Sequence, residues 1–201
     1  MAARRRRGVR AAGDAVAAFL EGHVPQGLVG TALALAAFFV FEESFKMVWL
    51  NRKSYRGRFD TTFYGVSVGA GVAATLAVAN LLGAFPNLYE PDILAVFLLF
   101  SISLSLIHAD TGVFIGFGAS RGETLWPLLK ALALRGAHGA LLLAFLLQAP
   151  QPWSLIAVAT SIAFAAIVYH YAYTVLLPET LPDEVKREMR REKRRDRKAK
   201  A

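Results

Sequence analysis

Long apolar stretches alternate with short polar segments along most of this 201-residue chain. Each stretch has about the 20 residues with which an α-helix crosses the hydrocarbon core of a bilayer. The five stretches occupy residues 28–50, 62–85, 93–118, 125–147 and 153–177. The pattern predicts an all-α integral membrane protein, a bundle of about five transmembrane helices with almost no mass outside the membrane.

The two ends of the chain differ from this apolar body. Residues 1–25 form a basic, amphipathic segment that is too polar and too short to span a bilayer and is suited to its interface. Residues 26–178 hold the predicted transmembrane domain. Residues 179–201 carry ten Lys and Arg interleaved with acidic residues, and we expect a charged cytoplasmic helix or tail there.

Basic residues also alternate between the connections of the predicted spans. The connection at 51–60 carries four Lys and Arg, the third connection carries Arg121, and the connections at 86–92 and 148–152 carry none. By the positive-inside rule, the first and third connections and the C-terminus are cytoplasmic, and we expect the plasma membrane as the location. Five spans would place the N-terminal arginines outside, against the same rule, so the N-terminal topology stays open.

The composition narrows the chemistry. The chain has no cysteine, which excludes disulfides, thiolate metal sites and cysteine nucleophiles. The net charge is +8, but the tail mixes both signs and has no aromatic residues for base stacking. We therefore expect no nucleic-acid partner. Because the basic tail adjoins a membrane segment, it favours a bilayer with anionic headgroups as its partner.

The first apolar stretch contains Glu42-Glu43-Ser44-Phe45-Lys46. Ionisable side chains at membrane depth cost about 2.5–3.5 kcal/mol each and are candidates for a functional site. Because Glu42 and Lys46 are four residues apart, an ion pair within the helix would join them and leave Glu43 free. A carboxylate in an apolar cleft suits a general base that acts on water.

More ionisable residues lie inside other stretches, among them His108, Asp110, Arg135, His138 and His170. His170 could join a site formed by the others or merely lie near it. The helical rise places Glu43, His108 and His138 at roughly 10, 15 and 20 Å from the predicted cytoplasmic end, so they could share one site. Arg135 is too deep to reach water and needs a carboxylate, for which Asp110 and Glu42 are the candidates. Two histidines and a glutamate can hold a zinc ion that activates water, and the same groups can act without metal.

The order of these features resembles the PrsW family of intramembrane proteases, relatives of the CAAX prenyl proteases. That family carries an E-E-x-x-K motif, which residues 42–46 reproduce, and then an aspartate before a glycine-rich helix, as at Asp60 and residues 65–71. A histidine followed by small residues and glycines comes next, as at residues 108–116, and then His-Gly, as at 138–139. The resemblance covers about 100 residues of the chain.

The resemblance implies hydrolysis of peptide bonds in membrane-anchored proteins. It makes Glu42 and Glu43 the catalytic carboxylates, with Glu43 activating water, and it makes His108 and His138 metal ligands or oxyanion stabilisers. If a metal takes part, Zn²⁺ held by Glu43, His108 and His138 is the implied cofactor. The supporting residues would be Lys46, Asp110, Arg135 and Asn80.

The chain departs from the family in three respects. It lacks the polar residue that usually follows the last His-Gly, it has less helix before the first motif, and one carboxylate motif is missing. Leu76 and Ala77 stand where the family has a glutamate that is usually followed by asparagine. Asn80 lies one turn beyond Leu76 on the same helix face, but its amide cannot act as a base. Two alternatives therefore stay open: a non-catalytic membrane protein on the same scaffold, and a proton or ion carrier that uses the buried Glu, His, Asp and Arg residues as a relay.

Overall fold

The computed structural model describes residues 28–84, 91–146 and 152–199. These residues form six helices joined by short connections, and no strand occurs among them. The helices are α1 (Leu28–Leu50), α2 (Thr61–Ala84), α3 (Pro91–Ser120), α4 (Leu125–Leu146), α5 (Trp153–Thr180) and α6 (Asp183–Ala199). The all-α prediction is confirmed, whereas the predicted N-terminal interfacial segment, 1–25, lies outside the described residues.

Helices α1 to α5 occupy the five predicted apolar stretches, and α6 occupies the charged tail. Among the described residues, three segments are long and apolar enough to cross a membrane: Thr61–Ala79, Leu94–Ser120 and Trp153–Thr180. The count of five spans stays a prediction.

The chain divides into two compact units, Met1–Phe38 and Phe39–Ala201. Of the described residues, the first unit holds only the beginning of α1. The second unit holds the end of α1 and every other helix of the described residues.

Helices α2 and α3 approach each other along their glycines. A Cβ atom added at Gly65 would overlap the carbonyl oxygen of Gly112, and one added at Gly69 would overlap the carbonyl oxygen of His108. Only glycine permits such a close approach of two helix backbones. Gly71, by contrast, has open space around its Cα. The contact therefore holds the backbone of His108 directly against α2.

Helix α5 is irregular near its end, where Ala172–Leu176 is π-helical. Leu177 donates its N–H to the carbonyl of Ala172, five residues earlier. Pro178 follows, and it has no N–H for the carbonyl of Thr174, four residues before it. The missing hydrogen bond accounts for the wider turn at this place. The π-helical segment still packs on α3, since Ala172 and Leu176 contact Val113.

Two connections and the end of α5 meet at one end of this unit. The Arg56 guanidinium in the first connection donates to the carbonyl of Gly122 in the third at 2.8 Å. Arg121 forms an ion pair with Glu179 of α5 at 2.6 Å. Gly57 and Gly122 have φ of 79° and 77°, a conformation that favours glycine in these turns. The alternation predicted from the basic residues agrees with this arrangement; the side of the membrane that it faces stays a prediction.

The distribution of side chains is the reverse of that in a soluble domain. Large apolar side chains are exposed along the helices, among them Phe41, Val48, Ile102, Trp126 and Ile167. Seven ionisable side chains of α1, α3 and α4 are buried, whereas Lys130 of α4 and His170 of α5 are exposed. The buried ones are Glu42, Glu43, Lys46, His108, Asp110, Arg135 and His138. Charges inside and apolar groups outside are what a hydrocarbon surrounding favours.

Candidate functional site

Helix α1 supplies three charged side chains from one inward face. Phe39, Glu43, Lys46 and Leu50 are all buried and follow one another at intervals of three or four residues. Because such intervals correspond to one turn of a helix, these residues form a single stripe, and Glu42 lies beside it. The exposed neighbours along α1 are apolar. The helix therefore turns its charges inward and its apolar residues outward.

Lys46 is the centre of the first buried ion pair. Its Nζ donates to Glu43 Oε1 at 2.8 Å, to Thr111 Oγ1 at 2.7 Å and to His108 Nδ1 at 3.1 Å. An ammonium has three donors and no acceptor, so these three contacts use all of its hydrogens. The predicted pairing of Lys46 with Glu42 is wrong in this structure, because the side chain reaches Glu43 one turn away and α3 at the same time.

The contact with Lys46 bears on the tautomer of His108. With Lys46 as an ammonium, Nδ1 of the neutral imidazole accepts from Nζ, and the hydrogen of the ring is on Nε2. This Nε2 is buried without a hydrogen-bond partner in the described part of the chain. It lies 3.9 Å from Glu42 Oε1. His108 thus offers an unused N–H donor to the space beside the two glutamates.

Arg135 of α4 forms the second buried ion pair. Its Nη2 donates to Glu42 Oε2 at 3.0 Å, and its Nε lies 3.8 Å from Glu43 Oε1. The guanidinium carbon also lies 4.4 Å from the centre of the Phe39 ring, a cation–π distance. Two partners were predicted for Arg135. In the structure Arg135 pairs with Glu42 and not with Asp110.

His138 also contacts Arg135 and connects it to two buried serines. Arg135 Nη1 lies 3.5 Å from His138 Nδ1, and His138 Nε2 lies 2.8 Å from Ser103 Oγ. Ser103 is 2.9 Å from Ser161 Oγ, which donates to the carbonyl of Val158 at 2.7 Å. Because a guanidinium only donates, the hydrogens run in one direction, from Arg135 to that carbonyl. The chain of donors ties α4 to α3 and α5.

Three buried residues converge where these ion pairs meet. Glu42, Glu43 and His108 each offer one ligand-type atom, and these atoms lie within 4.8 Å of one another. Two carboxylate oxygens there, Glu42 Oε1 and Glu43 Oε2, are buried without partners among the described residues, as is Arg135 Nε. The place therefore combines two free acceptors with two free N–H donors. Such a set can hold a water molecule beside a polar group of a substrate.

Other predicted site residues stand apart from this cluster. His138 is not a member of it and acts on it through Arg135. Asp110 is fully buried and neither of its oxygens has a partner in the described ranges, but it is not a member either. The side chain of Asn80 lies outside the described residues. The sequence left open whether His170 joins the site, and in the structure this residue is exposed on α5.

Besides Ser161, two residues of the network were not expected from the sequence. Thr111 donates to Glu43 Oε1 at 3.1 Å, and its position one turn after His108 was the signal that could have found it. Ser103 had no distinguishing signal, since Ser105, two residues later, is exposed and bonds the carbonyl of Ser101.

A metal would need lone pairs from the imidazoles. Lys46 occupies that of His108 at Nδ1, and Arg135 faces that of His138 at Nδ1. Each glutamate also already has a cationic partner, at 2.8 Å for Glu43 and 3.0 Å for Glu42. The predicted zinc set of Glu43, His108 and His138 is not brought together, because His138 lies outside the cluster. Among the described residues, Glu42, Glu43 and His108 have the spacing for a metal ion, and with Lys46 as an ammonium His108 has no free lone pair for one.

Comparisons of the chain with protein-family models, with curated proteins and with solved structures find no match. The resemblance to the PrsW family therefore rests on the motifs described above. Of the residues in these motifs, Glu42, Glu43 and His108 lie together and His138 lies outside their cluster.

Proposed function

We propose that this chain is an intramembrane endopeptidase that hydrolyses peptide bonds of membrane-anchored proteins. One observation carries the proposal: Glu42, Glu43 and His108 converge, and each of them keeps one buried side-chain atom without a partner among the described residues. Polar groups left without partners at membrane depth are costly, so a site that keeps them is a site for a ligand or a reaction. The order of motifs that resembles the PrsW family points to the same reaction.

The proposal includes the placement of the protein in the membrane. Helices α1 to α5 cross the bilayer, and α6 lies on the cytoplasmic side of the plasma membrane. Three helical segments of sufficient length and apolar character support this placement. The exposed apolar side chains and the buried charges support it as well, because a large exposed apolar surface is unfavourable in water.

In the proposed mechanism, Glu43 is the general base. A water molecule gives one proton to Glu43 Oε2, and its oxygen attacks the carbonyl carbon of the peptide bond. The N–H groups of His108 Nε2 and Arg135 Nε donate to the oxyanion that forms, and the proton on Glu43 passes to the leaving amine. Glu42 keeps Arg135 in place. This route uses no metal, in keeping with the tautomer of His108 when Lys46 is an ammonium.

The test is proteolysis in reconstituted proteoliposomes that contain membrane-anchored peptides. Glu43→Gln should lower cleavage by about 100-fold or more, since general-base catalysis contributes that much. The matched control is Glu123→Gln, the same change at an exposed position of the third connection. Treatment with a zinc chelator should leave the wild-type rate unchanged. Cleavage by Glu43→Gln at the wild-type rate would refute the role of Glu43.

A proton carrier is the second candidate, and Asp110 favours it. This carboxylate is fully buried and has no partner among the described residues, although the proposed hydrolysis does not use it. If the wild type cleaves none of the substrates but conducts protons, and Asp110→Asn abolishes the flux, the carrier replaces the protease. If neither cleavage nor proton flux is found, the buried network has a structural role, and the protein is a non-catalytic membrane protein on the same helical scaffold.

A further inference from the structure

A groove of about 590 Å³ lies between the end of α5 and the beginning of α6, apart from the buried site. Its apolar wall includes Val175, Leu181 and Met189, and its basic wall consists of Lys186 and Arg190. The two basic residues are four apart and therefore project from the same side of α6. The groove thus combines an apolar surface with two neighbouring cations.

One carboxylate also lines the groove, but it is already paired. Glu179 accepts from Arg121 at 2.6 Å. Lys186 Nζ donates to the main-chain carbonyl of Glu179 at 3.0 Å, which fastens the beginning of α6 to the end of α5. The same Nζ lies 4.0 Å from the exposed carboxylate of Asp183, one turn earlier on α6. Arg190 is exposed and makes no hydrogen bond or ion pair with the residues that the structure describes. The charge left without an ion pair at the groove is therefore that of Arg190, and Lys186 adds an ammonium whose ion pair with Asp183 is long and exposed.

The position of the groove identifies the class of ligand. Thr174, Val175 and Pro178 lie in the last two turns of Trp153–Thr180, a segment long enough to cross a membrane. In the membrane placement proposed above, the groove opens where α5 leaves the hydrocarbon. Phosphate groups of lipids lie at that level, with glycerol and acyl chains directly below them. Cations above an apolar wall match this arrangement.

We propose that the groove binds one anionic phospholipid, with its phosphate on Lys186 and Arg190 and its glycerol and first methylenes against Val175 and Met189. A second copy of the chain would bring another basic α6 to the same place and would be repelled. The inference rests on the proposed membrane placement and not on hydrolysis, so it can fail while the protease proposal stands.

The experiment is native mass spectrometry of the full chain in detergent, titrated with phosphatidylglycerol and, separately, with phosphatidylcholine. The groove variant is Lys186→Gln with Arg190→Gln. The matched control is Arg187→Gln with Arg191→Gln, which removes two charges at the same spacing from the same helix but outside the groove lining. Thermal unfolding of both variants verifies that they are folded.

We expect one phosphatidylglycerol to stay bound to the wild type and to the control. The groove variant should bind it roughly tenfold or more weakly, since two basic contacts are lost. Equal weakening in both variants would overturn the proposal in favour of diffuse attraction by the tail. Equal retention of phosphatidylcholine would overturn it too, as would displacement of the lipid by millimolar inorganic phosphate, which would identify a site for free phosphate.

Discussion

Each charge of the buried cluster faces an opposite charge, and this pairing explains how the cluster tolerates its surroundings. Glu43 has Lys46 at 2.8 Å, and Glu42 has Arg135 at 3.0 Å. Taking an ion out of water costs several kcal/mol, and a close, hydrogen-bonded counter-ion offsets most of that cost. The two charges of each pair therefore compensate each other's desolvation cost. If one partner is removed, the other charge stays buried without a counter-ion.

We predict that Arg135→Ala lowers the free energy of unfolding by about 3–5 kcal/mol, the usual consequence of leaving one member of a buried pair. Arg135→Lys should lose less, because it keeps the charge but has one nitrogen in place of the guanidinium fork. Thermal unfolding in a fixed detergent measures both. The control is Arg121→Ala, which removes an ion pair whose side chains are 46% and 48% exposed. An exposed pair is worth about 1 kcal/mol or less. Equal losses in Arg135→Ala and Arg121→Ala would contradict the buried pairing.

The contact of α2 with α3 decides where His108 stands. Two glycines of α2, Gly65 and Gly69, meet Gly112 and His108 of α3 at the distance of touching backbones. In a lipid surrounding, such close packing replaces the hydrophobic drive that joins helices in water. A displacement of α3 would move His108 and Thr111 together, and both bond Lys46.

Gly69→Ala should accordingly destabilise the protein by about 1–3 kcal/mol, since a methyl group there overlaps the His108 carbonyl and forces the helices apart. It should also lower cleavage in the proteoliposome assay. Gly71→Ala is the matched control on the same helix, because its added methyl group meets nothing within 4 Å. Alanine is the better helix former by roughly 0.5–1 kcal/mol, so that variant should be neutral or slightly more stable. Similar unfolding temperatures for the two variants would exclude the close contact.

The arrangement of connections in the second unit gives a test of topology. The first connection, the third connection and the end of α5 are joined by the Arg56–Gly122 hydrogen bond and the Arg121–Glu179 ion pair. A membrane that crosses the helices must therefore leave all three on one side. Because the chain has no cysteine, single cysteines can report on this without any background.

Cysteines introduced by Ser54→Cys, Glu123→Cys and Glu188→Cys should all react with a membrane-impermeant maleimide from the same side of sealed vesicles. Those introduced by Asn87→Cys and Gln151→Cys, in the connections without basic residues, should react from the opposite side. The positive-inside rule predicts the cytoplasmic side for the first group. Reaction of the Ser54 and Glu123 variants from different sides would refute the membrane placement.

The sequence was sufficient for the helices and for most of the residues of the site. The apolar stretches located α1 to α5 to within a few residues because hydrophobic length is a strong signal. The sequence did not predict which glutamate pairs with Lys46. Glu42 and Glu43 are adjacent, and the pairing depends on the position of Arg135 on α4. The same holds for Ser103, whose partner His138 comes from another helix. Contacts between helices decide these details, and a local pattern does not contain them.

The pairing of Glu42 with Arg135 also has a consequence for biosynthesis. The two residues are 93 positions apart in the chain. At about 5–20 residues per second, the ribosome delivers Arg135 roughly 5–20 seconds after Glu42. During that interval Glu42 lacks the guanidinium that it contacts in the folded protein, and the nearest cation on its own helix is Lys46, four residues later. In the proposed membrane placement, we therefore expect the nascent first helix to stay in a protein-lined or hydrated surrounding until the fourth helix arrives.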